Sequence, residues 1–187
     1  RGDYGSPTAD NPWLNPTAKH DYNVGYDFNH ESALTQSYVD RVVTYWIDEF
    51  NIDGYRLDLS KGLTQKNTLG NVSEWGKYDA SRVAILKRIA DVIWEADPEA
   101  YVILEHFSEN PEESELADYG MMLWGNLRGS FFNTAMGIAS DIKWSYYKAR
   151  GWNENAVVGY MESHDEERIL FEVNHRSQET YAMQIKR

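Results

Sequence analysis

Apolar, strand-like runs alternate along this chain with segments of helical periodicity, and this alternation strongly limits the fold. The strand-like runs lie at 52–59, 101–104, 120–124 and 156–161. Helical segments are predicted at 32–50, 80–96 and 127–150, with the start of another at 177–187. Strands separated by helices long enough for crossover connections predict an α/β fold whose parallel sheet is covered on both faces.

The number of strands limits the size of this sheet. Closing an α/β barrel takes eight strands and typically about 250 residues, whereas the runs found here supply only half of them. We therefore expect an incomplete barrel over 32–187, preceded at 1–31 by an irregular loop rich in Pro, Gly, Asn and Asp. The chain begins at Arg1 without Met and ends at Arg187 within a helical pattern, so we expect it to be part of a longer protein.

Composition disfavours several classes of partner. The net charge of −12 argues against nucleic acids and anionic membrane surfaces, which attract basic patches. The absence of cysteine excludes disulfides and thiolate metal sites, and no apolar run is long enough to span a membrane. A neutral ligand such as a sugar is the partner that an acidic surface obstructs least. The compartment stays open, with secretion or the periplasm slightly favoured over the cytoplasm.

Three acidic residues lie at or just after the ends of strand-like runs. Asp58 lies near the end of 52–59, Glu105 directly follows 101–104, and Asp165 follows 156–161. The C-terminal ends of the strands are where a parallel α/β barrel keeps its chemistry. Carboxylic acids in that position indicate carboxylate catalysis, and glycoside cleavage is the reaction that most often needs them.

The first two acids have structural explanations as well as catalytic ones. Arg56 shares a strand face with Asp58, so its guanidinium would keep that carboxylate ionised, as a nucleophile requires. A purely structural Arg–Asp pair fits the same string equally well. Glu105 ends an apolar run, where poor solvation raises the pKa of a carboxyl and suits a general acid. A strand-end Glu that simply reaches solvent is the commoner case.

The third acid lies in a charged segment, 163–168, which reads Ser-His-Asp-Glu-Glu-Arg. A His beside three acids could be a metal site, but adjacent side chains rarely point at one ion, so we predict no metal among the site residues. The charged start of a helix is the ordinary explanation. The sharper hypothesis is a catalytic Asp165 flanked by His164 as a donor to the substrate.

Together these strings resemble the α-amylase family of glycoside hydrolases, which fold as (β/α)8 TIM barrels. The family's strand-four motif, G-[FY]-R-x-D followed three residues later by Lys or His, matches 54–58 and Lys61. Its strand-five Glu matches Glu105, and its strand-seven His-Asp pair matches 164–165. The resemblance implies an incomplete barrel with roughly strands 4–7 and their helices, lacking strands 1–3 and 8. It also implies that 1–31 is the end of the family's inserted domain.

The resemblance implies a role for each acid. Asp58 would be the nucleophile that forms a covalent glycosyl-enzyme with retention of configuration. Glu105 would protonate the leaving oxygen and then activate water as a base. Asp165 would hold substrate hydroxyls and favour the distorted sugar of the transition state.

The resemblance also implies substrate-binding residues. Arg56 would orient Asp58, His164 would hydrogen-bond the sugar, and Lys61 would line a neighbouring subsite on the leaving-group side. The family often has Asn where Ser163 stands, so this position departs from the family's pattern. The family's first motif, an Asp and an Asn-His pair at strand three, has no counterpart in this sequence.

The expected function is hydrolysis of α-glucosidic bonds in starch- or glycogen-like glucans by an amylase- or pullulanase-like parent protein, with the isolated chain inactive. One rival is a transglycosylase of the same family, in which a sugar hydroxyl replaces water. The other is a catalytically dead barrel that binds glucan or acts as a scaffold.

Two further expectations concern ions and assembly. No cofactor is certain, although the resemblance allows Ca²⁺ in the parent protein. Asp3, Asp10 and Asp21 lie in the right region, but their spacing matches no defined calcium loop. An open barrel leaves two parallel strand edges unpaired, so we expect the chain to self-associate through these edges.

Overall fold

The computed structural model of the protein describes residues 6–22 and 25–176. The strands are β1 (Gly54–Leu57), β2 (Tyr101–Leu104), β3 (Met122–Asn126) and β4 (Val157–Tyr160). The helices are α1 (Ala33–Phe50), α2 (Val72–Gly76), α3 (Ala80–Ala96), α4 (Asn110–Tyr119), α5 (Arg128–Ala135), α6 (Tyr147–Arg150) and α7 (Ile169–Arg176). Single 3₁₀ turns occur at Ser60–Gly62 and Lys143–Ser145.

The strands follow one another in the order β1-β2-β3-β4, and the sheet they form is not closed over the described residues. β1 pairs with β2 in parallel from Gly54 opposite Tyr101 to Leu57 opposite Leu104. β2 continues in parallel with the first residues of β3. Helices alternate with these strands, which confirms the predicted α/β class and the incomplete barrel.

The chain divides into two compact units, Arg1–Leu123 and Trp124–Arg187, which are described separately below. The boundary lies within β3. The first unit contains α1 to α4 with β1 and β2, and the second contains β4 with α5 to α7. The predicted change from irregular loop to barrel at residues 31 and 32 stays a prediction.

The core of the first unit is built around α3, whose bounds match the predicted helix 80–96. Asp79 caps it by accepting the backbone N–H groups of Ser81 and Arg82. α3 packs against α1 and α4, and β2 buries Val102 and Leu104. The buried apolar residues of α3 are Val83, Ile85, Leu86, Ile89, Ala90 and Ile93. The apolar residues that recur at helical spacing in the sequence are therefore the residues that the structure buries.

Three predicted boundaries differ from the structure. The segment 108–118, predicted as an acidic loop, contains helix α4, which has Pro in its first turn, Glu112 and Glu113 near its positive end and Gly120 as its left-handed C-cap. The predicted helix 127–150 is interrupted into α5, a 3₁₀ turn and α6. The third strand lies two residues later than predicted. The helix expected at 177–187 lies outside the described residues.

The segment that precedes α1 is irregular over its described residues. Over 6–22 and 25–31 its only β-bridge joins Leu14 to Phe28. The chain then enters α1 through Asn29, whose side chain accepts the backbone N–H of Glu31. No helix among the described residues is long and apolar enough to cross a membrane. Self-association through the open sheet edges stays a prediction.

Gly54 allows β1 and β2 to approach each other closely. Its φ is +142°, and a Cβ at this position would lie 2.2 Å from the backbone oxygen of Tyr101. We expect Gly54→Ala to lower the free energy of unfolding by on the order of 3 kcal/mol, because strain and a backbone clash add. Chemical denaturation measures the loss. Gly76→Ala is the control, since a Cβ there meets no atom within 4 Å; equal stability of the two variants would contradict the expectation.

Candidate active site

The ends of β1 and β2 bring two of the predicted acids together. Because Leu57 lies opposite Leu104 in the parallel register, the residues that follow them, Asp58 and Glu105, emerge at the same edge of the sheet. Arg56 joins them: its Nη1 forms an ion pair with Asp58 and lies 3.1 Å from Glu105 Oε2. One guanidinium nitrogen therefore contacts both carboxylates.

The two carboxylates have different environments. The side chain of Asp58 is 72% exposed, whereas that of Glu105 is 10% exposed. Burial raises the pKa of Glu105, and the neighbouring carboxyl of Asp58 raises it further, while the Leu59 N–H and Arg56 act in the opposite direction. The net shift is upward. The raised pKa expected for a strand-end general acid is thus present at Glu105.

A strained turn follows Asp58 and contacts the second acid. Leu59 adopts a left-handed conformation with φ of 40°, which is unfavourable for a branched residue. In this conformation its backbone N–H donates to Glu105 Oε2 at 3.1 Å. The next backbone N–H, that of Ser60, donates to the carbonyl oxygen of Glu105 at 2.9 Å. The turn after β1 therefore holds both the side chain and the backbone of Glu105.

Lys61 connects the two strand-end loops. Its Nζ donates to the carbonyl oxygen of Phe107 at 2.8 Å and lies 4.2 Å from the centre of the Trp75 ring. Burial lowers the pKa of the Lys61 ammonium. Trp75, on α2, is itself buried. The role predicted for Lys61, lining a substrate subsite, stays a prediction.

A pocket of about 240 Å³ opens beside Asp58. Two residues in its wall carry buried polar atoms with no hydrogen-bond partner within the described residues: both ring nitrogens of His20 and Oδ2 of Asp27. His20 Nε2 lies 3.6 Å from that oxygen. Other lining residues are Tyr26, Phe28, His30, Leu59, Gly62 and Leu63. Buried polar atoms normally have partners, so this wall is suited to a ligand that offers hydroxyl groups.

The histidines of this pocket are held neutral. Burial lowers the pKa of His20, against the opposing effect of Asp27. Burial, with a smaller contribution from Arg88, lowers the pKa of His30 to about 4. A neutral imidazole offers one donor and one acceptor, which matches an uncharged polar ligand better than an anion.

The third acid belongs to the second unit, in the loop after β4. Asp165 Oδ1 lies 3.3 Å from His164 Nε2, and both side chains are more than half exposed. The ring of Trp124 meets that of His164 edge-on, with 6.5 Å between centroids. Residues 163–168 line an open pocket of about 450 Å³. The predicted His-Asp pair is therefore in contact and accessible to a ligand.

No metal site is evident in this loop or elsewhere in the part of the chain that the structure describes, where no three His, Asp or Glu side chains converge. Glu166 lies near Arg128, with 3.4 Å between Oε2 and Nε. Both carboxylate oxygens of Asp21 accept the backbone N–H of Gly70, at 2.9 and 3.1 Å. Asp21 therefore binds the backbone at Gly70. Asp3 lies outside the described residues, and Ca²⁺ in the parent protein stays a prediction.

A buried polar network behind Glu105 was not predicted from the sequence. Glu112 accepts from Arg82 Nε at 2.6 Å and Nη2 at 2.8 Å, and lies 2.6 Å from His106 Nε2. His106 Nδ1 lies 2.9 Å from Ser60 Oγ. All four side chains are essentially inaccessible to solvent. The only possible sequence signal for this network was His106, which follows Glu105. The contact of Arg82 with Glu112 joins residues thirty positions apart, and no local pattern predicts such a pair.

Asp58 and Glu105 thus lie at the C-terminal edge of a parallel sheet, where α/β barrel proteins keep their functional residues. A family model described as "Alpha amylase, catalytic domain" matches residues 13–186. Since this match covers most of the 187 residues, the chain belongs to the α-amylase family, whose catalytic domains are those of glycoside hydrolases and transglycosylases.

Comparison with solved structures finds more distant similarity. Thirteen chains of solved structures match, among them Amy13B from Eubacterium rectale, with 18% identity and a TM-score of 0.47. The match covers 61% of this chain and 21% of that one, so it spans about a fifth of that protein. No curated protein matches the chain.

Proposed function

We propose that this chain carries the nucleophile and the general acid of a retaining hydrolase that cleaves α-glucosidic bonds in starch- or glycogen-like glucans. The observation that carries the proposal is the contact of Arg56 Nη1 with both Asp58 and Glu105. An exposed carboxylate next to a guanidinium suits a nucleophile, and a buried carboxyl with a raised pKa suits an acid.

The separation of the two acids supports retention rather than inversion. Two oxygens that are hydrogen-bonded to the same nitrogen, here Arg56 Nη1, lie at most about 6 Å apart, which is twice the length of a hydrogen bond. Retaining glycosidases hold their carboxyl groups about 5–5.5 Å apart, whereas inverting enzymes need about 6.5–9.5 Å to admit a water molecule. The upper limit for Asp58 and Glu105 is below the spacing of inverting enzymes, which supports retention.

The proposed reaction has two steps. In the first, Asp58 attacks the anomeric carbon, the bond to the leaving oxygen breaks, and Glu105 gives its proton to that oxygen. In the second, ionised Glu105 removes a proton from water, and the resulting oxygen displaces Asp58 from the anomeric carbon. Each step inverts the configuration, so the product retains it.

Substrate hydroxyls are proposed to lie in the pocket beside Asp58, where His20 and Asp27 offer unpartnered polar atoms. Asp165 and His164 keep the role that the family resemblance implies for them, the binding of sugar hydroxyls. A transglycosylase remains the second candidate, since a sugar hydroxyl can replace water in the second step.

Product analysis of the complete protein with maltooligosaccharides tests this proposal. We expect shorter oligosaccharides whose new reducing ends are released as the α-anomer, observed by proton NMR before mutarotation. Longer products would identify transglycosylation. Release of the β-anomer would contradict the retaining mechanism, and binding without any cleavage would favour a glucan-binding scaffold.

A further inference from the structure

The buried network of Ser60, His106, Glu112 and Arg82, here called the Ser60–Arg82 network, links the proposed acid to helices α3 and α4. Arg82 lies on α3 and Glu112 on α4. His106 directly follows Glu105 in the chain, and Ser60 lies two residues after Asp58. The network therefore begins next to both reacting carboxylates and ends in the core of the first unit.

The hydrogen bonds of Glu112 determine the direction of donation. Its two oxygens accept from Arg82 Nε and Nη2, and Oε2 also accepts the backbone N–H of Asp79 at 2.7 Å. A carboxylate with these charge-assisted bonds accepts from His106 Nε2 as well, so this nitrogen carries a proton. Burial lowers the pKa of His106 and favours the neutral ring. Its Nδ1 is then an acceptor.

The orientation of Ser60 follows from this tautomer. Since His106 Nδ1 accepts, the Ser60 hydroxyl donates to it across 2.9 Å. Ser60 Oγ also lies 3.1 Å from the carbonyl oxygen of Glu105, so its one proton is shared between these two acceptors. The backbone N–H of Ser60 donates to the carbonyl oxygen of Glu105, also at 2.9 Å. Ser60 is thus held from both sides, by the core and by the second strand-end loop.

Fixing Ser60 fixes the residue before it. Leu59 has an unfavourable left-handed conformation, which persists only where its surroundings impose it. That conformation directs the Leu59 N–H to Glu105 Oε2 at 3.1 Å. The network thereby acts on the orientation of the Glu105 carboxyl, although its own side chains are buried away from solvent.

We propose that Ser60 and His106 are positioning residues that hold the turn after β1 so that Glu105 is aligned to protonate the leaving oxygen. This inference rests on the proposed function and extends it to residues that do not contact the substrate. A misplacement of about 1 Å costs on the order of 10²-fold in rate, so a small relaxation of the turn is measurable.

The test compares two substrates with Ser60→Ala. A maltooligosaccharide needs protonation of its leaving oxygen, whereas α-glucosyl fluoride has a leaving group that needs little. We expect kcat/KM to fall about 10- to 100-fold on the oligosaccharide and less than about 3-fold on the fluoride. Equal losses on both substrates, or no loss on either, would overturn the proposal.

Thr35→Val is the matched control. Thr35 is fully buried and its hydroxyl donates to the carbonyl oxygen of Trp13 at 3.3 Å, away from Glu105. The substitution removes one buried hydroxyl, as Ser60→Ala does, and should leave the ratio of the two kcat/KM values unchanged. His106→Gln, which keeps a polar group in the network, should change that ratio in the same direction as Ser60→Ala.

Amide hydrogen exchange provides a readout that does not need activity. In Ser60→Ala we expect the Leu59 amide to exchange about 10-fold faster relative to the Glu105 amide, which donates to Leu57 within the sheet. If the wild-type protein cleaves neither substrate, the proposed function fails. The hydrogen-exchange rates then test by themselves whether Ser60 positions the turn. An unchanged ratio of the two exchange rates would show that the network does not hold the turn.

Discussion

Asp58→Asn is expected to lower kcat on starch and pullulan by at least about 10⁴-fold, because a neutral amide replaces the carboxylate that bonds to the anomeric carbon. The amide keeps the size of the side chain but is a poor nucleophile and loses the ion pair with Arg56. Folding should be little affected, since the Asp58 side chain is largely exposed. Steady-state kinetics and a thermal melt of the complete protein measure the two effects.

The control for this substitution is Asp48→Asn, which makes the same charge change at an exposed position of α1. Wild-type rates are expected for it. Chemical rescue identifies the role more directly: with added azide, Asp58→Gly should form the β-glucosyl azide, because azide attacks in place of the missing carboxylate. Undiminished activity of Asp58→Asn would rule out the nucleophile assignment.

Glu105→Gln is expected to reduce kcat/KM on maltooligosaccharides by about 10²- to 10⁴-fold, the usual contribution of a general acid. The loss should be much smaller on α-glucosyl fluoride. Azide should rescue Glu105→Ala as the α-glucosyl azide, since the covalent intermediate on Asp58 still forms. Formation of the β-glucosyl azide by this variant would instead identify Glu105 as the nucleophile and Asp58 as the acid.

The pH dependence of stability follows from the raised pKa of Glu105, whose first cause is burial. The folded state binds this proton more tightly than the unfolded state, whose Glu titrates near 4.5. The stabilisation is therefore fully present below that value and is lost as pH rises through the raised pKa. We expect Glu105→Gln to gain stability relative to wild type between pH 4 and pH 8.

Denaturation of both proteins at several pH values between these limits measures this difference. Glu95→Gln, at an exposed position of α3, is the control for the loss of one negative charge. A loss of stability of Glu105→Gln relative to wild type as the pH rises would contradict the expected sign. The same buried environment that makes Glu105 an acid would then have to be reconsidered.

The local sequence was sufficient to predict the helices and strands whose apolar residues recur at a regular spacing. The helix 80–96 was predicted within the bounds of α3 because its apolar residues recur at 3.6-residue spacing and Pro98 follows its end. β2 was located by a short β-rich run between polar residues. α4 was missed because its apolar positions are few: Glu112, which would be expected to face solvent, is buried against Arg82.

Some contacts in the candidate site also follow from the local sequence, whereas others depend on the pairing of distant strands. The motif that ends on Asp58 places Arg56 on the same face two residues earlier, so their contact follows from the period of a strand. The contact of Arg56 with Glu105 does not, since it depends on the parallel register of two strands far apart in sequence. The apolar neighbours of Glu105 allowed either a raised pKa or a carboxyl that reaches solvent, and the structure buries the side chain.

The sequence by itself determined the alternation of strands and helices, the three acids that follow strand-like runs, and the family to which the chain belongs. These features depend on side-chain order and local period, which are read directly along the chain. Only the tertiary structure decided that Leu59 adopts a left-handed turn against Glu105, and that Ser60, His106, Glu112 and Arg82 form one buried network. Such contacts join segments far apart in sequence, and packing, not local pattern, sets their geometry.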